Sequence, residues 1–539
     1  MRTDLITKQA SSSSLDEKHP IDDVSAEAVK IDSRIDVAAS LVAGDATADD
    51  ELHPEESRRI RAKIDWHLLP LLFFIYTVQY IDKGTLASSY VLGIVQDNNL
   101  TIDQWNNLGS AFYIGYLAFE YPQNWALQRF PVGKWMAFNI LLWCIFLGLH
   151  CVCQNFGGLF ALRFLLGASE GCITAGLMLV ASMFYTRTEI AERIGWTFQC
   201  NGVGTIISGF LSFGVAHISA GDKPHQWQWL MIITVILTFF VFVLFVLFFP
   251  DNPTTAKFLS QEEKLKAVKR VEGNKNGIET KVWKKEQFIE ALTDTKTWLF
   301  FLFAAVADLQ NGIGVQYSRV IKSIGFTNLQ TTVLNIPSGL TQIMGITLGC
   351  YLLRKFPNSR AWINIGFWMP SILAALLELC LPSSNKAGLL AGIYLLNFGG
   401  APGFIMILSW VTATVSGHTK KLATNSIVLI GYALGQILCT QFWKDKYAPR
   451  YYVPWGITLA SHITDILIVL AIRYVLVREN RRRDRLLAEA QVSGNVPPEM
   501  LDYGYVVKAD ENGYPIKVKV DKALLDLTDK ENLAFRYVL

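Results

Sequence analysis

The chain has 539 residues, 51% of them hydrophobic and only 18% charged, with a mean hydropathy of +0.28 and a net charge of +3. That composition argues against an ordinary soluble domain and for a protein that crosses a membrane many times. The small net charge says little by itself; its placement along the chain says more.

Residues 1–62 are rich in Ser, Asp, Glu and Ala and lack a cationic start followed by an apolar core, so they read as a disordered cytoplasmic tail rather than a cleaved signal. Apolar runs of about 20 residues, enough to cross ~30 Å of hydrocarbon, then recur near 66–92, 106–127, 134–153, 157–184, 194–217 and 227–249. A polar stretch, 250–297, follows, in which Ser260 and Glu263 form a capping box for a surface helix in "SQEEKLKAVKRV". Six more runs lie near 298–319, 330–353, 361–381, 388–412, 423–443 and 454–477. The expected architecture is all-α: a six-helix half over 63–249, the linker, a second half over 298–478, and a cytoplasmic tail over 479–539.

Lys and Arg concentrate in alternate connections, from "RRIRAK" before span 1 through Lys420 and Lys421 to "RENRRRDR" after span 12. This places both termini in the cytoplasm, with "FWKDKYAPR" at 442–450 as a local exception. The run Arg481–Arg483, directly after a span, reads as a headgroup contact and not as a nucleic-acid patch. The eight cysteines lie inside or at the ends of apolar runs without metal spacing and read as small hydrophobes.

Ionisable residues within spans are the best functional candidates, because a charge at mid-bilayer costs at least about 2.5–3.5 kcal/mol unless it faces a cavity or a partner. Asp82 and Lys83 sit together in span 1, in "VQYIDKGTLASSYV". In span 4, "ALRFLLGASEGCITAG" places Arg163, Gly167 and Glu170 on one helical face. Gly167 leaves room there for a ligand or a neighbouring helix. Arg163 with Asp82, and Lys83 with Glu170, are possible pairs across the helices. They read either as structural salt bridges or as a proton-coupled anion site.

Glu120, with Arg129 and Lys134 nearby, reads as a gate-stabilising ion pair. Asp308 in span 7 precedes Gln310, Asn311 and two glycines that could loosen the helix beside the pathway. His150 and Glu378 read as span-end residues, and His462 with Asp465 as an intrahelical pair. Asn201, Asn335, Asn397 and Gln436 lie beside Gly or Pro in spans, as in broken or closely packed helices. No phosphate-binding loop, nucleophile elbow or zinc-protease motif is present, so neither a catalytic residue nor a metal site is expected.

Six plus six spans, Asp-Lys in span 1 and R-x-x-x-G-x-x-E-G in span 4 resemble the major facilitator superfamily, and within its anion:cation symporters the fungal allantoate permease family. "FYIGYLAFEYPQNWALQRFPVGKW" (112–135), "MFYTRTEIAERIG", "SGHTKK", "APRY" and the closing "DLTDKENLAFRYVL" are similar to that family's patterns. The similarity covers about residues 60–480 and the last stretch of the chain.

The resemblance implies import of a small organic anion by alternating access, with the proton as coupling ion and no other cofactor. It places proton coupling on Asp82 and Glu170 and anion binding on Lys83 and Arg163, with Tyr116, Asn201, Asn311 and Gln436 as further substrate residues. Lys83 stands where arginine is common, Ala175 where proline is usual, and Gln436 where asparagine is expected. Asp308 is not a residue the family pattern predicts. A monomer in the plasma membrane is expected. A transporter-like nutrient sensor and an uncoupled facilitator are the alternatives, and no nucleic acid partner is expected.

Overall fold

The computed structural model describes residues 54–218, 223–272, 283–356, 358–493, 503–509, 515–521 and 527–539. Most of the expected N-terminal tail lies outside the described residues. The first helix, α1 (Pro54–Val91), begins before the expected boundary at 63. Proline tolerates the first helical position, and Glu55 and Glu56 complement the positive end of the helix dipole.

Helices then follow the expected order: α2 (Ile102–Arg129), α3 (Val132–Leu149), α4 (Phe156–Phe184), α5 (Arg187–Val215) and α6 (Gln226–Phe248). The linker forms α7 (Gln261–Glu272) and α8 (Lys285–Thr293). Span 7 is broken into α9 (Thr295–Ala307) and α10 (Gly312–Ser323), joined by a 3₁₀ turn over Asp308–Asn311. Beyond it come α11 (Asn335–Lys355), α12 (Arg360–Cys380), α13 (Lys386–Thr414), α14 (His418–Cys439) and α15 (Tyr452–Val492). Ten of the helical segments among the described residues are long and apolar enough to cross a membrane. α2 and α5 are not among them. They carry charges near their ends (Asp103 and Arg129; Glu189, Glu192 and Arg193) and pack against the other half of the molecule.

Local chemistry sets the helix starts. Thr101 and Gln104 form a reciprocal capping box for α2, and Asn155 accepts from the Gly158 amide at 2.7 Å to cap α4. The Ser260–Glu263 box forms as expected, with bonds of 2.8 and 3.2 Å. α4 runs unbroken past Ala175. One apolar core reaches from Ile60 to Ala267; two others use residues from Phe300 onward.

The linker divides its allegiance. α7 docks on the first half, where Lys63 pairs with Glu263 at 2.6 Å, Lys266 with Glu56 at 3.0 Å, and Arg270 with Glu189. α8 docks on the second, with Gln287 accepting from the Thr419 amide at 3.1 Å.

The C-terminal segment corrects one expectation. α15 continues past 478 to Val492, supported by Glu479–Arg482 and Glu479–Arg483 pairs. Arg483 does not reach toward headgroups: it is 2% exposed and donates to the Phe535 and Asp529 carbonyls at 2.7 and 2.8 Å. Residues 527–539 form a strap over the ends of α9, α13 and α14. Trp410 donates to the Val538 carbonyl and Ser416 to that of Leu527. Strands β1 (Tyr503–Ala509) and β2 (Pro515–Asp521) pair as an antiparallel hairpin between α15 and the strap. The basic exception at 442–450 is tied into the fold, since Asp445 pairs with Arg319 at 2.9 Å and Arg450 donates to the Leu381 carbonyl.

Candidate functional site

α1 and α4 carry the expected charges inward. Asp82 is 1% exposed, Arg163 3% and Glu170 fully buried, while Lys83 is half-buried. The four lie within electrostatic reach of one another. Neither possible cross-helix salt bridge forms, and among the described residues Lys83 and Arg163 make no contact ion pair. Asp82 instead accepts from the Trp143 indole at 2.8 Å and from the Thr85 hydroxyl at 3.3 Å. Glu170 lies beside Asp82 and Gln79, yet neither of its oxygens makes a well-formed hydrogen bond. Arg163 Nε and Nη2 are likewise buried and unpartnered. Lys83 Nζ stands 6.0 Å from the centre of the Phe112 ring.

Gly167 serves helix packing. A Cβ built there would lie 1.8 Å from the Phe112 carbonyl oxygen, and one on Gly115 1.9 Å from that of Phe164. The two glycines let α2 and α4 cross backbone to backbone and bring the aromatic face of α2 over the charges. Tyr113 and Tyr116 lie on that helix; Tyr113 meets Tyr432 of α14 edge-on at 6.3 Å. Tyr80 accepts from Gln342 of α11 at 3.2 Å, a second link between the halves.

Hydrogen bonds tie α2 near Asn106 and Ser110 to the end of α14 and the turn that follows it. Ser110 donates to the Ile437 carbonyl at 2.7 Å, Thr440 to the Asn106 carbonyl at 3.1 Å, and Gln441 to Ser110 at 2.7 Å. Asn106 also donates to the Trp443 carbonyl at 3.1 Å and accepts from Gln316 at 2.7 Å.

Other expected residues fall elsewhere. Glu120 has no ion pair among the described residues, because Arg129 and Lys134 are exposed and Arg129 stacks on Trp125 instead. Gln123 carries the structural load of that motif, bonding Asn139 at 2.7 Å, the Ala168 carbonyl at 2.9 Å and the Trp135 indole at 2.8 Å. Asn311 and Gln436, expected among the substrate ligands, both donate to Asp308 Oδ1. Asn201 is half-buried in α5, on which Gly202 and Gly339 of α11 meet at their backbones. His462 and Asp465 do not pair: their polar atoms are buried and unpartnered.

Sequence reasoning missed Trp143, Gln79, Phe112 and Tyr80. The available signal for Trp143 was a tryptophan amid an otherwise apolar span, since a buried indole N–H needs an acceptor.

The profile of the Major Facilitator Superfamily matches residues 72–440. An uncharacterized transporter of Schizosaccharomyces pombe is 36% identical over 501 residues, covering 92% of this chain and 86% of that protein. The high affinity cysteine transporter of Saccharomyces cerevisiae is 30% identical over 96% of this chain and 97% of its own length. The allantoate permease of the same yeast is 31% identical over 95% and 91%. A bacterial homologue of the human lysosomal transporter Spinster, solved inward-facing and occupied, shares the fold with a TM-score of 0.53 at 16% identity, covering 75% of this chain and 94% of that one. The chain is an integral, multi-pass membrane transporter of the Major Facilitator Superfamily, in the fungal permease family to which the allantoate permease belongs.

Proposed function

We propose that this protein imports a small organic anion, a carboxylate or sulfonate, together with protons. The observation that carries the reading is the gathering of Asp82, Lys83, Arg163 and Glu170 in the first half without a contact ion pair. Fully paired, these groups would be a structural bridge. Unpaired, the two cations have hydrogen-bonding capacity left for an anion, and the two carboxylates can exchange protons as a coupled pair. That the relatives include a cysteine transporter and an allantoate permease supports a small carboxylate as substrate.

In the outward state, protonation of Asp82 or Glu170 frees Lys83 and Arg163 for the anion; opening to near-neutral cytosol then releases both. The bonded end of α2 and α14 acts as the closed outer gate of an inward-open state, and rocking of the halves opens it. Lys83 offers a point charge, so it constrains carboxylate geometry less than an arginine fork would. The plasma membrane is the proposed location, with both termini in the cytoplasm and the monomer as the working unit.

The test is uptake of labelled allantoate, nicotinate, pantothenate, cysteine and taurine by cells expressing the protein, at external pH of about 5 and about 7. Accumulation of one compound, greater at acid pH and lost in Glu170→Gln, is the expected result. Uptake that ignores pH and survives Glu170→Gln overturns the coupling, and binding without accumulation favours a sensor.

A further inference from the structure

The second half holds a buried acidic pair that the proposed anion site does not use. Asp308 opens the 3₁₀ break in span 7, where α9 stops and α10 begins. It is 2% exposed; Oδ1 accepts from Gln436 at 2.9 Å and from Asn311, while Oδ2 has no partner. Asp465 on α15 is fully buried, both of its oxygens are unpartnered, and α15 packs against the 3₁₀ turn that Asp308 opens, within electrostatic reach of its carboxyl. One turn away on α15, His462 is fully buried with both ring nitrogens unpartnered, its ring 5.0 Å from that of Trp368.

The surroundings decide what this pair can do. Among the described residues, the titratable groups facing Asp308 are Tyr113 of α2, Tyr432 and Cys439 of α14, and Asp465, and the charged group facing Asp465 is Asp308. Among the described residues, no lysine or arginine pairs with either carboxyl. In the first half, by contrast, two cations accompany two acids. Two carboxylates buried together without a cation cannot both stay ionised, because each uncompensated charge costs several kcal/mol. The neutralising species that fits is the proton. Among the described residues no group of three or more His, Cys, Asp and Glu side chains is placed to hold a metal ion.

We propose that Asp308 and Asp465 form a second proton-binding site, within the second half, whose occupancy sets the geometry of the break in span 7. The site alternates between a neutral state, with a proton on each carboxyl, and a singly charged state in which one proton has left to the aqueous pathway. In the charged state Asn311 and Gln436, which already donate to Asp308 Oδ1, stabilise the carboxylate and hold the 3₁₀ turn; protonation weakens both bonds. A short 3₁₀ stretch inside a span is where such a change alters helix direction most cheaply. The inference deepens the proton-coupled reading and does not depend on which anion is carried.

The experiment is infrared difference spectroscopy of the purified, lipid-reconstituted protein between about pH 5 and about pH 8, following the carbonyl stretch of protonated carboxyls. Asp308→Asn and Asp465→Asn are each expected to lose part of the wild-type band change, and Glu170→Gln is expected to leave that part intact. Full retention of the wild-type change in both aspartate variants overturns the assignment. Should those variants fail to fold, the conservative Asp308→Glu and Asp465→Glu variants, grown with carbon-13 aspartate, replace them. An isotope-shifted, pH-dependent band that each of them reduces supports the site, and a band unchanged in both overturns it. Failure of the first-half coupling reads differently: Glu170→Gln and Asp82→Asn leave the spectrum unchanged and uptake is independent of pH, while the second-half band persists.

Discussion

Two groups of buried charge in this protein are built on opposite plans. Under the C-terminal strap, Lys420 approaches Asp529 at 2.7 Å and Asp294 and Glu290 at 2.8 Å each, Lys296 pairs with Asp529, and the Tyr537 hydroxyl donates to Asp529 at 2.6 Å. Every cation there has its anion in contact. In the first half, Lys83 and Arg163 lie near Asp82 and Glu170 without touching them, and both Glu170 oxygens and two Arg163 nitrogens have no partner. Burial alone therefore does not distinguish the two groups; saturation does. A saturated cluster has its energy committed to holding segments together. An unsaturated one keeps interaction capacity for something that arrives.

The comparison can be broken most easily at Glu170 and Arg163. Glu170→Gln and Arg163→Met should each reduce uptake by on the order of 100-fold or more, since truncating a buried charge that binds a ligand costs about 2–5 kcal/mol of binding. Thermal stability in lipid should hold or rise for Glu170→Gln, because it replaces a buried carboxyl that no cation touches with a neutral amide. Loss of folding along with uptake would make the four charges structural after all.

Asp529→Asn should do the reverse. It leaves Lys296 and Lys420 buried with less compensation and should cost about 3 kcal/mol of strap docking. Hydrogen exchange and protease cleavage of residues 527–539 would report this, with uptake per folded molecule little changed. A smaller effect is expected from Gly167→Ala. Its new Cβ would meet the Phe112 carbonyl at 1.8 Å, so α2 and α4 must separate, at about 1–3 kcal/mol. A lower melting temperature together with weaker apparent affinity would show that the crossing sets the distance between Phe112 and the charges.

Acidity sharpens the contrast further. Burial by itself would raise the Asp529 carboxyl, but Lys296 and Lys420 outweigh it and hold it well below the usual carboxylate range. A depressed acid stabilises the fold above its unfolded value, and that stabilisation fades as pH falls through the folded one. Strap protection should then stay level from about pH 8 to about pH 5 and decline only at more acid values, whereas uptake should rise over that same interval. Parallel pH profiles for strap and uptake would erase the distinction.

What the sequence made legible follows from period and composition. The helices, the Ser260–Glu263 cap and the shared face of Arg163, Gly167 and Glu170 are local features, set by neighbours within a few turns. Partner choice is not local. Nothing near Asp82 in the chain announces Trp143, and Gln436 lies 128 residues from the Asp308 it holds. Arg483, expected at lipid headgroups, lies buried beneath a strap whose polar sequence hides its burial, because pairing rather than hydrophobicity makes that burial affordable. His462 and Asp465, one helical turn apart, were the natural intrahelical pair. Their separate burial reflects packing against Trp368 and the span 7 break.

The central claim is that the unsaturated charges of the first half couple proton and anion movement. Its most direct test uses proteoliposomes with an imposed proton gradient and no membrane potential, given whichever labelled anion the uptake panel selects, and compares steady-state accumulation in wild type and Glu170→Gln. Wild type should concentrate the anion above its external level, and the variant should reach equilibrium and no more. Equal accumulation by both would contradict the account.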